Sequence, residues 1–120
     1  MSGPLQMVVQ LPLADRHPNE TERVAHGALE EALAEGFEVG GFGDFDGSEA
    51  GEGKANLFIY NIPPARWDEA LAFAVAELRR RGLADGALIA RGVLSSDEED
   101  AEFEQKVVWP PGFRGSFSTF

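Results

Sequence analysis

Asn56-Leu57-Phe58-Ile59-Tyr60-Asn61-Ile62 is the clearest strand in the chain. Apolar residues fall on both of its faces, so it reads as an interior strand whose two sides both need covering. Pro63-Pro64 ends it, and Trp67, Leu71, Ala74, Val75 and Leu78 then recur at helical spacing up to Gly82. On that helix Phe73 projects far from the centre of the apolar stripe, near Arg80, so it is either exposed or covered by something outside the helix. Beyond it, residues 87–94 form another aliphatic strand, which carries Arg91.

Toward the N-terminus, Gly43 to Gly53 reads as an acidic, glycine-shaped loop, and residues 37–42 as a short strand weakened by Gly40 and Gly41. A helix precedes it. Asn19 with Glu22 three residues on makes a capping box, Val24, Ala28, Leu29, Ala32 and Leu33 form its stripe, and Gly36 is expected to follow its last turn. Leu5, Met7, Val9, Leu11 and Leu13 alternate with Gln6, Val8, Gln10 and Pro12 as a first strand with a polar back. Val9, Leu29, Leu33, Phe58, Leu71 and Leu78 are the expected core.

The order β, α, β, β, α, β predicts an α+β, ferredoxin-like βαββαβ sandwich: a four-stranded antiparallel sheet with two helices on one face and the other face open. Ser95 to Asp100 changes the composition abruptly, which divides the chain into a domain at 1–94 and an extension at 95–120, acidic and then aromatic. A short helix capped by Ser96, with Glu99 at its third position, is expected to open the extension. Trp109, Phe113, Phe117 and Phe120 carry more apolar area than a solvated tail usually does, so they are expected to bury, against the chain's own sheet or helices or against a second subunit or partner.

The 120 residues suit one core, and 21 acidic against 10 basic residues give a net charge of −11, which opposes binding to nucleic acid or anionic lipid. No apolar run is long enough to span a membrane, and the N-terminus has no signal-peptide pattern, so a cytoplasmic location is expected. Without cysteine, neither disulfides nor thiolate chemistry can contribute. Glu30, Glu31, Glu35, Glu38, Asp44, Asp46, Glu49 and Glu52 follow one another with no Lys or Arg between Val24 and Gly53. A solvated acidic face explains such a run, and so does a surface that steers a basic partner.

Asp44, Asp46, Ser48, Glu49 and Glu52 offer oxygens suited to calcium, but the EF-hand register fails, because Glu49 stands where its glycine belongs and Ala55 where its glutamate belongs. No metal or other cofactor is expected. Gly40 to Phe45 bears a faint likeness to the aromatic strand of an RNA-recognition motif, but its leading base is missing and its surroundings are acidic. His17 and His26 have no nucleophile or base at a recognisable spacing and read as structural or surface residues, while Arg79 to Arg81 suit a helix C-terminus. The chain therefore leans away from an enzyme.

Asp46-Gly47-Ser48-Glu49, Gly51-Glu52-Gly53 and Leu57-Phe58-Ile59-Tyr60 together resemble a group of short, uncharacterised bacterial proteins in which a D-G-x-E-x-G-x-G-like turn leads into an apolar strand and then a helix. The resemblance covers roughly residues 5–93 and implies a ferredoxin-like fold, with no activity or catalytic residue attached. The expected function is a non-catalytic binding or regulatory module acting through protein–protein contacts, as a homodimer or with another protein. Phe73, Trp109, Phe113, Phe117, Phe120, Asp44, Asp46 and Glu49 are its candidate contact residues. Two alternatives are an acidic immunity-type inhibitor of a basic toxin and a small-molecule-binding domain or enzyme with a pocket on the open sheet face.

Overall fold

In the computed structural model, which describes residues 3–96 and 101–119, the first strand β1 (Leu5–Pro12) lies at the centre of the sheet. The chain continues through α1 (Glu20–Gly40), β2 (Asp44–Gly51), β3 (Lys54–Ile62), a 3-10 turn (Pro64–Arg66), α2 (Trp67–Arg80), β4 (Leu88–Leu94) and β5 (Phe103–Trp109). The strands pair antiparallel in the order β2-β3-β1-β4-β5. This corrects the four-stranded ferredoxin-like sandwich expected from the sequence: the sheet has five strands, because residues 103–109 pair along β4, with Phe103 opposite Leu94 and Val107 opposite Ala90. Phe103, Gln105 and Val107 alternate with Glu104 and Lys106, a period-two pattern that the preceding acidic run disguised. The expected helix capped by Ser96 falls largely on 97–100, outside the described residues.

One side of the sheet holds the core. Met7, Val9 and Leu11 of β1 and Leu57 and Ile59 of β3 pack in a single cluster with Leu29, Leu33 and Phe37 of α1 and with Trp67, Ala70, Ala74 and Leu78 of α2. Leu71 and Phe58, expected in the core, are only half-buried. The register of α2 places Ala70 inside, one position before Leu71.

The first helix is longer than expected, and the strand expected at 37–42 does not form. Phe37 lies on the core stripe, so the chain stays helical through Gly36 and stops at Gly41, whose φ of 68° is left-handed. There Phe42 N donates to Phe37 O and Gly41 N to Glu38 O, while the Phe42 and Phe37 rings meet edge-on at 5.8 Å, the bonding and apolar contact of a Schellman stop. No base lies in the last turn of α1. Arg66 supplies the positive charge instead, donating through Nη2 to Gly40 O at 2.9 Å with its guanidinium 5.0 Å over the Phe42 ring.

The strand that follows is the acidic segment itself. Asp44 pairs with Tyr60 and Gly51 with Lys54, with a bulge between Phe45 and Gly47. The hairpin turns at Glu52 and Gly53, both with positive φ, as the twist-matched two-residue turn requires.

The other side of the sheet is not open. Val8 and Ala90 are fully buried there, as are Asn56 and nearly all of Gln6. After β5 the chain bends at a cis Trp109–Pro110 bond and returns across this face. Ser118 O accepts from Gln10 Nε2 at 2.9 Å and from Lys54 Nζ at 2.6 Å, and Thr119 O accepts from Asn56 Nδ2 at 2.8 Å. Gln6 accepts from Gln105 Nε2 at 3.0 Å, and Gly92 leaves room for it, since a Cβ there would run into the Gln6 side chain. The polar back of β1 is therefore the layer that bonds the tail and β5.

Candidate functional site

With the back of the sheet covered, exposed carboxylates stand on α1 and on the edge strand β2, which pack against each other. Glu31, Glu35 and Glu38 are exposed on the helix, the first two bordering a groove toward α2 with Glu77, Arg80 and Arg81, and Asp44, Asp46 and Glu49 are exposed on the strand. Asp44 accepts from Asn61 Nδ2 at 2.9 Å, and Glu52 at the hairpin tip pairs with Arg16 at 2.6 Å. Charged side chains and a bulge on an edge strand also keep it from pairing with another sheet. Among the described residues, no three histidine or carboxylate side chains form a group able to hold a metal ion.

A cleft of about 310 Å³ opens between α1 and β2. Its apolar wall is Pro18, Ala50, Ala55 and Leu57, and its polar groups are Arg23, His26, Glu30, Ser48 and Glu49. His26, which read only as a structural or surface residue, is 8% exposed and heads the inner row that continues through Leu29, Leu33 and Phe37. Its spacing of three, four and four to those residues was the available signal. Val24, which the expected stripe used instead, is 70% exposed. Burial pushes the His26 pKa below its ordinary value, outweighing the opposite pull of Glu22 and Glu30.

The aromatic candidates are scattered. Phe73 is half-buried, with its ring 5.8 Å from Phe37 and 6.2 Å from Phe42 and its edge over Gly36. Trp109 lies beside α2 near Leu71, Val75 and Arg79, and Phe113 and Phe117 are half-buried in the returning tail. Phe120 lies outside the described residues. Arg80 and Arg81 do not form an open basic patch, because both bind Glu77, at 2.8 and 3.1 Å, and the Arg80 hydrogen bond holds that carboxyl below the usual range.

No family model matches the chain, and no curated protein or solved structure matches it either. No helix among the described residues is long and apolar enough to cross a membrane.

Proposed function

We propose that this protein is a non-catalytic binding module that engages a basic protein surface through the exposed carboxylates of α1 and β2. The observation that carries this reading is the exposure of Glu31, Glu35, Glu38, Asp44, Asp46 and Glu49 on two adjacent elements, in a chain of net charge −11. Fields of this kind accelerate encounter with oppositely charged partners and fix their orientation. A homodimer built on an open sheet face loses its motivation, because the tail covers that face, and so does a pocket placed there. An inhibitor of a basic toxin would be one protein of this description, acting in the cytoplasm of a bacterium that makes both.

Photo-crosslinking residues placed at Glu35, at Glu49 and, as a control on the opposite sheet edge, at Glu104 test the reading in producing cells. One dominant partner is expected from the first two positions, with Lys and Arg at the linked surface. The triple substitution Glu31→Lys, Glu35→Lys, Glu38→Lys should weaken that complex by about ten-fold or more, and added salt should do the same. Crosslinks confined to position 104, or a complex indifferent to charge reversal, would refute it.

A further inference from the structure

Three polar residues of the described chain are buried, and two of them are hydrogen-bonded: Gln6 accepts from Gln105, and Asn56 bonds Gln10 and Thr119. His26 is the third. It has no hydrogen-bond or ion-pair partner among the described residues, and its ring lines both the α1–β2 cleft and an adjoining cavity of about 210 Å³ beside Thr21, Gly82 and Asp85. The ring nitrogens are not sealed off from these cavities, so what enters the cavities can supply the hydrogen bond that the chain does not.

We propose that the α1–β2 cleft binds a small organic cation, an amine with an apolar body, anchored by a hydrogen bond to the His26 ring. The volume is at the lower end of the range for ligand sites, which fits a small molecule. Leu57, Ala55 and Ala50 offer a surface for the apolar body, and Ser48 and the carboxylates of Glu30 and Glu49 surround a cationic head. Arg23 is the single base at this cleft, and Glu22 and Asp85 add carboxylates on the other side of the imidazole. The balance of charge therefore favours an ammonium over a carboxylate.

The chemistry of the imidazole agrees with that balance. Burial favours its neutral form, which keeps one ring nitrogen as an acceptor for an ammonium N–H. Protonation would remove the acceptor and add a repelling charge. The groups facing the ring are Glu22, Arg23 and Glu30 on α1, Glu49 on β2 and Asp85 before β4, so affinity should fall as acid protonates His26 and, at lower pH, the carboxylates. This site lies beyond the proposed partner binding and is tested on the isolated chain, so either can fail alone.

The test is a nuclear magnetic resonance titration of the full-length protein with tyramine, phenethylamine and agmatine, and with 4-hydroxyphenylacetate as the anionic counterpart of tyramine. At least one amine should give saturable shifts at the His26 ring and at the Ala50 and Leu57 amides, and the anion should give none. His26→Phe should weaken binding by about ten-fold, while His26→Gln, which can still accept, should stay within about three-fold. Should His26→Phe fail to fold, Glu49→Gln on the exposed strand is expected to weaken binding by about three-fold. The proposal is overturned if no amine saturates, if the anion shifts the same signals, if the shifts map to another surface, or if neither His26→Phe nor Glu49→Gln changes the affinity.

Discussion

Gly36 and Phe73 explain each other, and neither is legible alone. A glycine late in a helical stripe reads as a stop, and a phenylalanine off the stripe of the second helix reads as exposed or as covered by something outside that helix. In the fold the ring edge occupies the space that a Cβ at position 36 would need, so α1 passes through Gly36 and Phe73 is half-covered. Gly36→Ala gains helix propensity, roughly 1 kcal/mol, but should still destabilise by about 1–3 kcal/mol through overpacking. In a Phe73→Ala background the same substitution should be neutral or stabilising, and chemical denaturation of the four proteins closes the cycle. His26 supplies a second prediction at this scale. Its folded pKa lies below the ordinary 6.5, so the unfolded chain takes the proton more readily; stability should be full above about pH 6.5, decline as pH falls below it and level off once the folded imidazole is protonated. Denaturation midpoints between pH 7 and 5 should show this slope in the native protein and not in His26→Gln. Equal slopes would mean that the ring titrates as it does in water.

Among the elements, those with strong local signals were legible. The capping box forms as the sequence indicated, with Glu22 N donating to Asn19 Oδ1 at 2.8 Å and Asn19 N to Glu22 Oε1 at 2.9 Å. Asn19→Ala should cost about 1 kcal/mol, read as a lower thermal midpoint, and an unchanged midpoint would show that tertiary packing alone fixes the start of α1. The Glu22 carboxyl is held below its ordinary pKa first by the Asn19 amide and then by that of Ala14. Elements whose stability is borrowed from neighbours were not legible. Residues 44–51 are rich in Asp, Gly and Ser, which strands disfavour, and the segment is extended because β3 offers it a ladder and Glu52-Gly53 turns the chain back. The fifth strand was missed because the acidic run before it disguised its alternation and because its partner β4 sits next to it only after the sheet has formed. The acidic residues of the candidate flank could be read from the sequence, but the cleft could not, because it exists only where α1 and β2 meet.

For the whole molecule, the decisive feature is the chain end lying on the back of the sheet. Asn56 and Gln10 sit on adjacent strands and bond each other at 2.8 Å, and together they hold the carbonyls of Ser118 and Thr119. Every one of these partners belongs to the same chain, so the tail should contribute stability without any dependence on protein concentration. Val8 and Ala90 are buried on this face and three hydrogen bonds hold the returning segment there, gains largely offset by the entropy of fixing it. Removing residues 112–120 should therefore lower stability by about 1–3 kcal/mol, shift the Val8, Asn56 and Ala90 resonances and let a hydrophobic dye bind the uncovered sheet. The intact protein should unfold at the same denaturant concentration whether it is dilute or concentrated. A truncation that leaves the midpoint unchanged would show that the tail merely rests on the surface. A midpoint that rises with protein concentration in the intact chain would show instead that the aromatic tail is shared between copies.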